Sequence, residues 1–197
     1  MTPLQTALSR QETGEISLFL IPGPQLKSSA IEAIGHEVSR NYLVITMAVT
    51  LPYAIAKRNL AEQGVDMSRV HYIDTLTKYS LGPHVAEEPQ CMFLPNPSDI
   101  TNMSIAITET LRRVPEGKRC VVLDDISTLL LYSSSETVLK FMHFMVTKLR
   151  LLDVEGIFFS VDHALAPQVI SQMQTMMDKI ETLADPSPAG SAPQEVG

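Results

Sequence analysis

A chain of 197 residues, 45% hydrophobic and 19% charged, is long enough to bury a sizeable core and has the balance of a globular domain. Its 22 acidic against 15 basic side chains leave a formal charge of −7, which argues against direct nucleic-acid binding and against broad attraction to an anionic membrane. No apolar run reaches the roughly 20 residues of a membrane span and the first residues lack the layout of a secretion signal, so the expected location is cytoplasmic.

Residues 1–14 read as a short amphipathic lead-in, residues 15–184 as one domain, and residues 185–197, rich in Pro, Ser, Ala and Gly without an apolar anchor, as a disordered tail. Within the domain, residues 16–21, 42–48, 69–74, 119–124 and 156–161 are short apolar runs, each predicting a strand buried on both faces. Helical periods lie between them. Leu26, Ala30, Ile34 and Val38 recur at every fourth residue, and Ile100, Met103, Ile107 and Leu111 at threes and fours, with Ser98 or Asp99 as the N-cap of the second helix. Residues 136–152 form a third helix, apolar on most sides through Val138, Phe141, Met142, Met145, Val146 and Leu149. Alternating strands and helices predict an α/β fold: a three-layer α/β/α sandwich around a mostly parallel sheet.

Two further segments depart from this rhythm. Residues 75–97 hold Gly82, Pro83, Pro89, Pro95 and Pro97 with little periodicity, predicting a long loop at the carboxyl end of the third strand, where Gly82 and His84 are candidate partner-contact residues. A late helix from Gln168 carries Val169, Ile170, Met173, Met176, Met177 and Ile180. Such a stripe is ordinarily core, and where exposed it suits an oligomer or partner interface, with Met173 and Met177 as candidates.

The chemistry-bearing residues concentrate at the carboxyl ends of the strands, where ligands gather in open α/β sheets. That edge is expected to carry Lys27, Thr50, Asp74, Asp124, Asp125, Asp162 and His163. Four aspartates there would repel a free triphosphate and suit a metal or a cationic group. Asp162 and His163 are adjacent and are expected to point apart. Arg112, Arg113, Lys118 and Arg119 cluster around the turn at Pro115 to Gly117, on the opposite edge, either complementing a helix dipole or forming a docking patch. Cys91 and Cys120 have no metal-ligand or C-x-x-C spacing and indicate neither zinc nor a disulfide framework.

The run Arg119-Cys-Val-Val-Leu-Asp-Asp-Ile-Ser127 resembles a Walker B strand, and Ile21-Pro-Gly-Pro-Gln-Leu-Lys-Ser28 stands where a phosphate-binding loop would lie. With the order of strands and helices around them, these segments resemble the KaiC-like branch of the RecA-fold P-loop ATPase superfamily, nearest to archaeal members lacking an intact Walker A motif. The resemblance implies that Asp124 matches the magnesium-holding carboxylate, and that Lys27 and Ser28 match the phosphate-binding lysine and the metal-ligating hydroxyl. The loop departs from G-x-x-x-x-G-K-[ST], with a single glycine, Gly23, and Ile21 where the first glycine belongs. Where the family keeps its catalytic glutamates, just past the second strand, this chain has Thr46-Met-Ala-Val-Thr-Leu51. The alternatives for Lys27 and Ser28 are a solvated first helical turn with a capping serine, and for Asp124 a capped turn.

The expected function is a catalytically inactive RecA/KaiC-like domain serving regulation or protein interaction, with no catalytic residue and no cofactor. Its partner would be another protein or a second copy. An ATP-binding, weakly hydrolysing ATPase using ATP and Mg at Lys27, Ser28 and Asp124 is the first alternative. A non-catalytic recombinase paralogue assisting DNA repair is the second.

Overall fold

The structure, a computed structural model, describes residues 1–183. The expected tail at residues 185–197 lies outside the described residues. Seven strands form one parallel sheet: β1 (Ile16–Ile21), β2 (Leu43–Ala48), β3 (Val70–Asp74), β4 (Cys91–Phe93), β5 (Arg119–Leu123), β6 (Glu155–Val161) and β7 (Lys179–Thr182), in the order β4-β3-β2-β5-β6-β1-β7. All pairings are parallel. β5 lies between β2 and β6, as expected for a run apolar on both faces. The Phe19 and Phe158 rings and the residues Ile45, Met47, Val121 and Val122 are buried in this central layer.

The helices are α1 (Pro3–Leu8), α2 (Leu26–Ser39), α3 (Tyr53–Glu62), α4 (Thr77–Leu81), α5 (Ile100–Arg113), α6 (Ile126–Leu129), α7 (Ser135–Leu151) and α8 (Pro167–Gln174). Side chains alternate along each strand, so the sheet feeds two cores. Cys120 and Val122 of β5 face a cluster with α1, α2 and α3, through residues such as Leu8, Ile34 and Leu60. Val121 and Leu123 face the other cluster, with α5, α6, α7 and α8, through residues such as Met103, Met142 and Val169. The lead-in is thus more than a lead-in. α1 buries Leu4, Ala7 and Leu8, and a capping box at Thr2 and Gln5 starts it.

Two sequence expectations change, and one alternative is resolved. The segment 75–97 is not one loop: it contains α4, and its end forms the edge strand β4, with Tyr72 N donating to Gln90 O at 2.7 Å. Ile180 belongs to β7, beside β1, and the late helix ends at Gln174. Of the two cap candidates for α5, Asp99 is the cap, its Oδ1 accepting from Asn102 N at 3.0 Å.

At the amino-terminal edge of the sheet, two carboxylates with fully buried side chains share one guanidinium. Arg40 Nη1 donates to Glu37 at 2.9 and 3.0 Å and reaches Glu155 Oε1 at 3.5 Å. Burial and the Glu37 charge push the Glu155 carboxyl up to about 7, against the pull of Tyr42 and Arg40. Burial also raises Glu37. A carboxyl raised on folding binds its proton more tightly in the native state, so its stabilisation is full below about 4.5 and is lost as pH rises through about 7. Glu155→Gln removes this dependence. Between pH 5 and 8, urea unfolding should show the wild type losing about 3 kcal/mol more than the variant; parallel stability curves would contradict the assignment.

Candidate functional site

The edge where ligands are expected is formed by the loops after β1, β2, β3 and β5. Between β2 and β5 the connections diverge: β2 leads to α3 on one face, and β5 leads to α6 and α7 on the other. A cleft at such a point is the natural ligand position. Here a side chain closes it. Asp124, which follows β5, is 3% exposed, and its carboxylate accepts from Val49 N at 2.8 Å, Thr50 N at 2.9 Å, Thr50 Oγ1 at 2.7 Å and Leu51 N at 3.3 Å. These donors come from the loop after β2. Burial pushes the carboxyl up to about 6 in spite of them.

The neighbouring aspartates are used in the same way. Asp74, at the end of β3, takes Tyr53 N at 2.8 Å, which holds the start of α3, and also Leu76 N, Thr77 N and Thr77 Oγ1 at 2.7, 2.8 and 2.6 Å. Asp125 caps α6 through the amides and hydroxyls of Ser127 and Thr128. The acidic edge inferred from sequence is therefore a set of loop clips. Each buried charge is satisfied by donors that the chain itself supplies.

The loop after β1 offers little to a phosphate. Residues 22 and 24 are prolines without an N–H, and the chain makes a 3-10 turn over Gly23–Gln25. Gln25 N and Leu26 N turn back onto Pro22 O and Gly23 O. A phosphate cradle needs several successive amides pointing outward. Lys27 and Ser28 are exposed in the first turn of α2, and Ser28 Oγ donates to Gln25 O at 2.8 Å. The residues do not fit a magnesium-nucleotide: the matching carboxylate is fully occupied and the matching hydroxyl is turned away.

Other sequence candidates are placed as follows. Met173 and Met177 are 0% and 7% exposed in the core beneath α8, so they are packing residues and are not open to a partner. Gly82, at φ +90°, ends α4, and His84 is exposed in the following loop. Asp162 and His163 meet, contrary to expectation. His163 adopts φ +61°, which swings its ring back to 3.2 Å from Asp162 Oδ2, at a solvent-exposed site. Arg112 and Arg113 close the last turn of α5. Of the loop residues that complete the Asp124 clip, Thr50 is one the sequence placed at this edge, whereas Val49 and Leu51 act through main-chain amides and carry no signal in the sequence.

Asp124→Ala would leave the amides of Val49 and Thr50 without their acceptor inside the sheet edge. The expected loss is about 2 kcal/mol, equal with and without magnesium. Urea unfolding in chelator and in magnesium measures it; a loss that appears only with the metal would return Asp124 to a metal site.

No curated protein matches the chain. Among solved structures, the KaiC-like protein PH0186 from Pyrococcus horikoshii OT3 superposes with a TM-score of 0.60 at 14% identity, covering 86% of this chain and 71% of that one. The protein PH0250 from the same organism superposes with a TM-score of 0.57 at 11% identity, covering 94% of this chain and 89% of that one. At such identities the likeness is one of fold: a seven-stranded parallel sheet flanked by helices, like KaiC-like and RecA-like structures. A family model matches residues 30–182, and the chain belongs to that family, the family of unknown function DUF7504.

Proposed function

We propose that this chain is a RecA/KaiC-like domain without ATPase chemistry, its Walker A loop degenerate, acting as a regulatory or protein-interaction module. The observation that carries the reading is the Asp124 carboxylate. The residue that would hold magnesium in an active relative here has both oxygens bonded to the loop after β2. Two prolines and the inward-turned amides after β1 add to it, since they remove the backbone donors that give a triphosphate much of its affinity. The loop after β2 supplies no carboxylate to activate water.

The fold retains a packed, two-sided core that holds surfaces rigidly. A domain with such a core and no nucleotide chemistry functions through what docks on it. Magnesium-ATP should bind no more tightly than about millimolar, by isothermal titration calorimetry. Micromolar affinity that disappears in Lys27→Ala would overturn the reading in favour of an ATP-binding enzyme.

A further inference from the structure

α7 buries one side and, among the described residues, leaves the other uncovered. Val138, Phe141, Met142, Met145, Val146 and Leu149 pack into the core. On the opposite side, Lys140, Phe144, Lys148 and Leu151 follow one another at spacings of four and three, which places them in a single row. The row is about 16 Å long at 1.5 Å per residue, about three helical turns. Phe144 is 37% exposed, Leu151 80% and Leu152, just past the helix, 41%. These three apolar side chains rim a concavity of about 480 Å3. On their far side the two leucines border a second one of about 630 Å3, lined by Tyr42, Lys118 and Arg119.

The charge of this surface differs from that of the chain. Among the described residues, no carboxylate lines the concavity on α7. Lys140 is tied to Glu136, but Lys118, Arg119 and Lys148 enter no ion pair among the described residues. Lys148 Nζ stands 5.3 Å from the centre of the Phe144 ring and Lys118 Nζ 5.5 Å from that of Tyr42, so both cations are held against the apolar surface. In a protein of net charge −7, this is a locally basic, apolar strip. Glu116, Asp153 and Glu155 also line the second concavity and would repel an acidic occupant there, so the cationic side of the strip is the α7 concavity with Lys140 and Lys148.

We propose that the outer face of α7, with the Leu151 and Leu152 ridge, docks an acidic amphipathic helix of a partner protein. A partner helix of three turns matches the row in length, its apolar side chains fill the hollow beside Phe144, and its carboxylates meet Lys140 and Lys148, which line that hollow. The inference rests on the reading of the chain as an interaction module and names the surface that does the interacting. It moves that surface to the side of the molecule away from the clipped carboxyl edge.

The test uses the full chain and a fluorescent synthetic helix with leucines at i, i+4 and i+7 and glutamates on the flanking positions, followed by anisotropy. A second peptide carries lysine in place of each glutamate. The acidic peptide should bind with a Kd of tens of micromolar, and Leu151→Asp combined with Lys148→Glu should weaken it at least about tenfold. Because both side chains lie outside the core, the thermal midpoint of the variant should stay at the wild-type value. Equal binding of both peptides, or unchanged binding by the variant, overturns the proposal. So does binding to phosphatidylserine vesicles that the variant loses, which would make the strip a membrane surface, or a dimer in sedimentation equilibrium that the variant abolishes, which would make the occupant a second copy. Magnesium-ATP titration of the same two proteins reports the nucleotide reading separately, so either can fail without the other.

Discussion

The carboxylate of Asp124 joins the end of β5 to the loop after β2, and the carboxyl edge of the sheet is organised around that junction. Adjacent parallel strands whose chains leave to opposite faces open a cleft between them, with the backbone amides at its mouth unpaired. In this chain an aspartate fills the cleft and takes the amides. The two residues concerned lie 74 and 75 positions apart in sequence, so the clip holds together halves of the sheet that local structure cannot connect. Asp74 does the same for the start of α3, while Asp125 makes the local cap of α6.

This use of the acids explains why an edge that carries so much charge gathers no metal-binding cluster among the described residues. A carboxylate that has desolvated onto three or four donors has no lone pair in the right direction for a cation, and a metal would have to replace those bonds one for one. The molecule is asymmetric as a result. Its carboxyl edge is closed by self-contacts, while its amino edge keeps the buried Glu37, Arg40 and Glu155 group and, beyond it, the basic and apolar strip on α7. Surface that the fold leaves unsatisfied lies at the end opposite the one where a nucleotide fold would place its chemistry.

The architecture was legible because its strands are buried on both faces and therefore read as short continuous apolar runs. The first of them, Ile16–Ile21, has the bounds read from the sequence. β4 was not legible. It is three half-buried residues in a proline-rich segment, paired only along one edge. β7 is not legible either: Ile180 falls near the helical period of Met173 and Met177, and only the neighbouring β1 makes its segment a strand. Asp124 was legible as a residue that matters, from its place after an apolar strand, but its role was not. Three of the four donors that satisfy it are main-chain amides, which leave no mark in a sequence; the fourth is the Thr50 hydroxyl. His163 shows the same limit: adjacent side chains normally diverge, and a left-handed backbone at that one residue brings them together.

The most direct measurement is hydrogen exchange at the amides of Val49 and Thr50, the two amide donors closest to the Asp124 carboxylate. If the carboxylate is a structural clip, both amides exchange slowly at neutral pH and keep the same protection factors in millimolar magnesium-ATP. Rapid exchange of both amides in the free protein, or a change in their protection on adding magnesium-ATP, would contradict the account and show that the carboxylate is available to a ligand.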